Sequence, residues 1–312
     1  LSSSSAASDV YKRQELLNIV IVGGGATGIE VAGILSEMKK FVLPNDYPDM
    51  PSSLMHIYLI EAGPRLLAGM SEESSAHAEQ FLREMGVNIL LNKRVVDYRD
   101  HKVVLEDGTE IATRTFIWVS GVTGVTIGNL DASLIGRGGR IKVDSFNRVE
   151  GMNNVFAIGD QCIQVADEDY PNGHPQLAQV AIQQGELLAK NLVRMEKGRE
   201  MKPFHYRNLG SMATVGRNRA VAEFSKVKMQ GWFAWVMWLV VHLRSILGVR
   251  NKVIVLLNWV WNYFTYDQSM RMIVYARKAK EIRDREKVEE TTHWGKELIQ
   301  EEKNPSTTSS SK

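Results

Sequence analysis

The sequence predicts an α/β fold organised around a parallel sheet, and two observations predict it. Short apolar runs rich in Val and Ile alternate with stretches of helical periodicity, and the first such run feeds directly into a glycine-rich turn that opens a helix. At 312 residues, with 44% hydrophobic and 24% charged side chains, the chain has an ordinary globular composition and the length for two domains.

Taken in order, strands are expected over Asn18–Val22, Ile57–Glu61, Asn88–Leu91, Phe116–Val119 and Val155–Ile158, and helices over Ala26–Lys40, Ser71–Met85 and Pro175–Met195. Alternation of this kind places strands side by side with helices as the crossovers. Val103–Ile111 differs: two short strands meet across Asp107-Gly108, a hairpin signal for a small antiparallel flap. Phe41–Ser53, with Pro44, Pro48 and Pro51, reads as a loop. Leu1–Gln14 and Pro305–Lys312 carry no periodicity and read as a structureless leader and tail, and no basic segment followed by an apolar one marks a secretory signal.

Charge and cysteine narrow the chemistry. Lys plus Arg number 38 against 36 Asp plus Glu, and a net charge of +2 gives no global field for nucleic acid. The single cysteine, Cys162, excludes an intrachain disulfide, a Cys-x-x-Cys redox pair and an all-cysteine metal site, and no metal-ligand set is assigned. Cys162 is expected to be a buried small apolar residue.

Asn18–Val22 runs into Gly23-Gly24-Gly25-Ala26-Thr27-Gly28, a strand feeding a G-x-G-x-x-G turn that starts a helix. Gly23 allows the tight turn, Gly25 lets a pyrophosphate approach the backbone, and Gly28 lets the helix pack on the strand. The phosphates then meet the unpaired N–H groups and positive dipole end of the helix. Glu61, an acid at the end of the next expected strand, would accept hydrogen bonds from the ribose hydroxyls of NADH and repel a 2′-phosphate. Arg65 leaves NADPH as the other option, and a solvated strand end is the plainer alternative for Glu61.

Asn154-Val155-Phe156-Ala157-Ile158-Gly159-Asp160 ends on Gly-Asp shortly before the helix expected at Pro175. Together with the upstream turn and Trp118-Val119-Ser120-Gly121-Val122, this resembles the two-dinucleotide-binding flavoprotein reductases. The segment Ala178-Gln179-x-Ala181-x-Gln183-Gln184-Gly185, with an aromatic-rich C-terminus, is similar to the type II NADH dehydrogenases. These are non-proton-pumping NADH:quinone oxidoreductases of the membrane surface. The resemblance spans roughly Leu16 to Lys280.

The resemblance implies a Rossmann-like NADH domain, a partial FAD domain and C-terminal amphipathic helices. The corresponding divisions are a leader at 1–14, the NADH domain at 15–122, the FAD-domain remainder at 123–225, a membrane- and quinone-side helical region at 226–285, and a solvated helix with tail at 286–312. It implies FAD and NADH as cofactors, hydride passing from NADH to the flavin and two electrons then passing to a membrane quinone. Gly121, Gly159, Asp160, Ala178 and Gln179 would bind cofactor, with Asp160 on the ribityl chain of FAD and the helix N-terminus near Gln179 at the flavin ring. Gln179 and Gln183, four apart on one helical face, would meet the quinone; from the residues alone they are equally solvated polar groups. Glu30 is either a carboxylate compensating the helix dipole in the first turn or, as the resemblance implies, a charge or proton partner beside nicotinamide and flavin. Only one glycine-rich strand-to-helix turn is found where such reductases carry two, so the sequence is expected to be the C-terminal part of a longer flavoprotein.

From Phe224 to Tyr266 there is no Asp or Glu, while Lys226, Lys228, Arg244, Arg250 and Lys252 add positive charge and five of seven tryptophans fall there. The apolar runs Trp232–Val241 and Val253–Leu257 fall short of the roughly 20 residues a spanning helix needs. Two short helices lying on an anionic lipid surface are expected, with Trp232, Trp235 and Trp238 at headgroup level. An aromatic homodimer interface or a buried core helix is the competing account. The resemblance implies a peripheral, monotopic location on the cytoplasmic face of a bacterial inner membrane. A soluble flavoprotein reductase serving an iron–sulfur partner and a non-catalytic NAD-binding, membrane-associating module remain the competing functions.

Overall fold

The computed structural model describes residues 14–265 apart from 47, 49–51, 126 and 226; the leader, the tail and the helix expected beyond Gln268 lie outside the described residues. A parallel four-stranded sheet forms the first half, in the order β3-β2-β1-β7, from β1 (Asn18–Val22), β2 (His56–Ile60), β3 (Val87–Leu90) and β7 (Thr115–Trp118). Every residue of β1 is buried, because the strand is central and both of its faces are covered. Ile19 and Ile21 point to one face, where they meet Ile29 and Ala32 of α1 (Ala26–Glu37) and Ala78 and Leu82 of α2 (Glu72–Glu84). Val20 and Val22 point to the other, against Val103, Leu105 and Ile111. Burying each of these branched side chains contributes roughly 1.5–3 kcal/mol.

Val103, Leu105 and Ile111 belong to the expected hairpin, β5 (Lys102–Leu105) and β6 (Glu110–Ala112), which turns through Gly108 at φ 85°. A third strand not expected from the sequence, β4 (Val95–Arg99), pairs with β5 and is largely exposed. The segment expected as a loop after α1 is largely helical: a π-helical turn at Met38–Val42, a helical turn at Leu43–Asp46 and a 3-10 turn at Ser52–Leu54.

The second half departs further from expectation. Val155–Ile158 is not a strand; Phe156 makes only an isolated bridge to Arg148, and the pairing goes instead to β8 (Ile141–Val143) and β9 (Cys162–Gln164), in parallel. The run does meet a neighbour, 147–149, through the Val149 N–H to the Val155 carbonyl at 2.9 Å and the Ala157 N–H to the Asn147 carbonyl at 3.0 Å, a match too short to make a strand. Cys162 is buried with Ile141, Val143, Val149 and Ala157, and burial pushes its thiol up, as expected of an inert core cysteine. Helix α3 (Ala178–Glu196) begins three residues later than the periodicity suggested, after Pro175.

An antiparallel sheet of β10 (Ser211–Gly216), β11 (Arg219–Phe224) and β12 (Val227–Gln230) follows, with β10 at its edge. One face joins the first core through Ala213, Val215 and Val221; the other takes α4 (Gly231–Ser245) through Ala220, Ala222 and Ala234. Helix α5 (Val249–Thr265) comes next. The chain divides into two compact units, Leu1–Asn258 and Trp259–Lys312. No helix among the described residues is long and apolar enough to cross a membrane.

The tryptophans of α4 do not share one side. Trp235 packs with the alanines over the sheet and Trp238 stacks on His242, leaving Trp232 exposed. At 100° per residue, each step of three falls 60° short of a full turn, so the set fans across the helix. The outward stripe is instead Phe233, Met237, Val240 and Val241.

Helix α1 approaches β10 so closely that a Cβ on Gly33 would lie 1.9 Å from the Val215 carbonyl oxygen. Gly33→Ala is therefore expected to push α1 off β10 and destabilise the fold by about 1–3 kcal/mol, read as a lowered denaturation midpoint in urea; an unchanged midpoint would show that the contact is loose.

Candidate functional site

The glycine turn is shaped by main-chain contact. Gly23 continues β1 by donating its N–H to the Ile60 carbonyl at 2.9 Å, then turns at φ 118°, a conformation that favours glycine. A Cβ on Gly28 would sit 1.8 Å from the Gly23 carbonyl oxygen, so only glycine lets α1 close on the turn. Gly25 is the N-cap of α1, and a side chain there would meet nothing within 4 Å. Gly25, Ala26 and Thr27 are exposed, so the helix N-terminus opens outward with its unpaired N–H groups, as an anion site requires.

Glu61 stands one residue beyond β2 and is no loosely solvated strand end. Its Oε2 accepts from the Gly24 N–H at 2.6 Å and its Oε1 from the Gly63 N–H at 2.7 Å, tying the glycine turn to the loop after β2. A carboxylate offers about four lone-pair directions, so two stay open for hydroxyl donors. Arg65 is committed elsewhere: its guanidinium donates to the carbonyls of Met70 and Ala68 at 2.7 and 2.9 Å. That makes it a brace of its own loop.

A second turn lies at the N-terminus of α3. Gly159, at φ 66°, donates its N–H to Gln184 Oε1 at 2.7 Å, while Asp160 is exposed and its carbonyl accepts from Gln176 Nε2 at 3.0 Å. Ala178 opens the helix, and a Cβ on Gly159 would come within 3.2 Å of Ala181. Gly121, just past β7, turns at φ 86° with open space where a side chain would be.

Gln179 and Gln183 are engaged by main chain. The segment 202–210 runs along α3 as a strap. Gln183 accepts from the Arg207 N–H at 3.1 Å and donates to its carbonyl at 2.9 Å. Gln179 accepts from the Leu209 N–H and donates to the Gly210 carbonyl, both at 3.1 Å, and Asn191 grips Lys202 in the same two-handed way at 2.9 and 2.8 Å. Each glutamine keeps one N–H and further lone pairs, so neither is a merely solvated polar group nor wholly given over to a ligand.

Glu30 lies in the second turn of α1; its first turn carries no acid, which removes the dipole-compensation account. The side chain reaches the edge strand, where it accepts from the Thr214 N–H at 3.4 Å. Burial pushes its carboxyl above the ordinary range, against the pull of the Thr214 N–H, the charge of His242 and a hydrogen bond from Trp238. All three candidate catalytic residues thus anchor on one stretch, Arg207–Thr214, from α1 on one side and α3 on the other.

Several contributors escaped the sequence reading. Gln184, quoted in the motif but assigned nothing, holds the Gly159 turn. Asp167 and His174, seven residues apart, pair at 3.0 Å in near-complete burial under Tyr170, Phe204 and Tyr206, and Asp167 also accepts from the Tyr206 N–H at 3.1 Å. Burial raises the Asp167 carboxyl, yet the hydrogen bonds from His174 and the Tyr206 and Asp169 N–H groups outweigh it and leave it below the ordinary value. Only the spacing of Asp167 and His174 around turn residues hinted at this, and it names no partner.

With this geometry in place, comparison with known proteins is informative. Residues 2–185 match the family described as pyridine nucleotide-disulphide oxidoreductase, and residues 208–266 match the NDH2 C-terminal domain. Type II NADH:quinone oxidoreductase NdhA of Mycobacterium tuberculosis is 34% identical over 270 residues, 82% of this chain and 56% of that protein. Internal alternative NAD(P)H-ubiquinone oxidoreductase A1 of Arabidopsis thaliana is 32% identical over 270 residues, 81% of this chain and 52% of that protein. The chain thus spans a little over half the length of these relatives. The structure of NDH2 from Plasmodium falciparum, in complex with NADH, shares the fold with a TM-score of 0.74 at 19% identity, over 83% of this chain and 68% of that one.

The raised carboxyl of Glu30 has a stability consequence. Folded and unfolded states both hold it protonated well below the unfolded value of about 4.3, and the folded state carries the cost of ionising it once the pH exceeds the folded value. Glu30→Gln, neutral throughout, is expected to raise the melting temperature at pH 7 and to leave it nearly unchanged at about pH 4; thermal melts at both values check it, and equal shifts at both would contradict it.

Proposed function

Because the chain belongs to the pyridine nucleotide-disulphide oxidoreductases, and within them to the type II NADH dehydrogenases, we propose that its activity is the FAD-dependent oxidation of NADH by a membrane quinone, without proton pumping. The observation that carries the nucleotide half is the exposed N-terminus of α1, where Gly25 leaves open space and Glu61 stands at the rim. The pyrophosphate of NADH fits those N–H groups, and the free lone pairs of Glu61 fit the ribose hydroxyls. The commitment of Arg65 to carbonyls supports NADH over NADPH.

FAD would be held in part by the Gly159–Asp160 turn and the opening of α3, with the exposed Asp160 carboxylate available to a polyol chain and Gly121 leaving room at the end of β7. Bound flavin would supply the two-electron chemistry that no side chain here can perform. The residues of the chain provide position and charge: Gln179 and Gln183 offer their remaining N–H groups on one face, and Glu30 offers a carboxyl whose charge its surroundings oppose.

The apolar stripe of α4, the exposed Val253, Ile254 and Leu257 of α5, and the absence of acids across both helices suit an anionic lipid surface. We place the protein peripherally, on the cytoplasmic face of a bacterial inner membrane. A second copy of the chain is the competing occupant of the same apolar faces.

Two experiments test this reading. Gly25→Val places a side chain in open space within the protein but in the path of the phosphates, so NADH affinity is expected to fall at least tenfold, about 1.4 kcal/mol, with the melting temperature nearly unchanged. Undiminished binding would remove the nucleotide assignment, and NADH oxidation coupled to an iron–sulfur protein but not to quinone would replace the substrate. Vesicles rich in anionic lipid are expected to retain the protein at low salt, with tryptophan fluorescence shifted to the blue. Neutral vesicles should bind it less, and concentration-dependent dimerisation without vesicle binding would favour the second copy.

A further inference from the structure

Open α/β sheets bind their ligands beyond the carboxyl ends of the strands. The chain that leaves β3 at that end is bound by main chain to the loop that leaves β2: the Asn92 N–H donates to the Gly63 carbonyl at 2.9 Å and the Lys93 N–H to the Glu61 carbonyl at 3.1 Å. Glu61 is the residue whose carboxylate takes the Gly24 and Gly63 N–H groups. Two cations, Lys93 and Arg94, are thereby carried to the rim of the glycine turn. Each is met by an acid from the tip of the β5–β6 hairpin. Lys93 Nζ donates to Asp107 Oδ2, and Arg94 pairs with Glu106 at 3.9 Å while its carbonyl accepts from the Glu106 N–H at 2.9 Å. The Asp107 carboxylate is steadied by its own turn, with Oδ1 accepting from the Thr109 N–H at 3.0 Å.

We propose that Asp107 is a specificity-determining residue for the nucleotide: by occupying Lys93 it leaves the Glu61 carboxylate unopposed at the ribose, so that a 2′-hydroxyl is accepted and a 2′-phosphate refused. Asp107 acts through Lys93 and touches no part of the nucleotide, and this role rests on the nucleotide reading of the glycine turn. An ammonium on a flexible four-carbon stem holds phosphate as a point charge. Lys93 has that chemistry, and its own N–H ties it to Glu61. Unpaired, it would offset the carboxylate and draw in the phosphate. The neighbouring cations are engaged differently. Arg94 lies one residue further on, where its main chain joins the hairpin rather than Glu61, and Arg65 donates to the Met70 and Ala68 carbonyls. The Lys93–Asp107 pair lies at the surface, where an ion pair adds little to stability, so what its charges set is the choice of ligand.

Calorimetric titration of the full chain with NADH and with NADPH reads this choice without turnover. Asp107→Asn removes the charge and keeps an Asn-Gly dipeptide, which favours the same hairpin turn. The ratio of the NADPH to the NADH dissociation constant is expected to fall by about threefold or more at low salt, and the fall to shrink at high salt as screening takes over. Adding Lys93→Gln is expected to restore the wild-type ratio, because the released ammonium is what takes the phosphate. Asp107→Gly, whose Gly-Gly also suits a hairpin, decides the matter if Asp107→Asn does not fold. An unmoved ratio in a chain that binds NADH would overturn the proposal, and so would a fall that persists in the double variant. A wild-type chain that binds neither nucleotide would instead overturn the nucleotide reading and remove this role with it.

Discussion

Everything in the site hangs on how α1 is held against main chain at two places. Gly28 lets it close on the Gly23 carbonyl and Gly33 lets it close on the Val215 carbonyl, with no side chain between helix and backbone at either contact. A helix clamped at both points cannot slide or roll, because interiors this tightly packed resist displacement by even one methylene. The clamp fixes the N-terminus that faces outward at Gly25, and it fixes Glu30, which lies between the two glycines and is aimed at the edge of β10. The exposed N-terminus of α1 and the Glu30 carboxyl are therefore set by one rigid body.

Apolar packing of Ala213, Val215 and Val221 joins the second half to the first core, and polar side chains set the register of the chain that leads there. Asn191, Gln183 and Gln179 grip the strap 202–210 at intervals along α3, each with one donor and one acceptor, and Asp167 takes the Tyr206 N–H beneath them. An extended segment without a strand neighbour must satisfy its N–H and C=O groups somewhere, and three amides of matching chemistry do so. The strap then delivers the chain to β10 in the register that presents Thr214 to Glu30. Glutamines that resemble ligands from the motif alone are, in the folded chain, also what holds the edge strand in place.

The first sheet was legible because its signals are local. Asn18–Val22, the glycine turn and the Asp107-Gly108 hairpin each carry their instruction in a few adjacent residues, and each appears within a residue or two of its expected place. Glu61 was singled out by its position at a strand end, though its grip on Gly24 and Gly63 was not visible, since both partners are backbone groups that sequence leaves anonymous. Val155–Ile158 misled because pairing depends on what lies alongside, and 147–149 meets it in only two backbone bonds. The relation of Glu30 to Trp238 and His242 was out of reach for the same reason: more than two hundred residues separate them, and only the antiparallel sheet of 211–230, itself unanticipated, brings α1 and α4 to a common edge. The even spacing of Trp232, Trp235 and Trp238 suggested a shared lipid face, and the helical drift of 60° per step dispersed them.

A strand with one side unpaired is a template on which another chain can build, and β10 is such a strand. Here its exposed groups are occupied from both flanks: Glu30 takes the Thr214 N–H, and Gln179 takes the Gly210 carbonyl just ahead of the strand. The side chains bound along this edge deny it to an incoming strand, so loss of either would expose a sticky border.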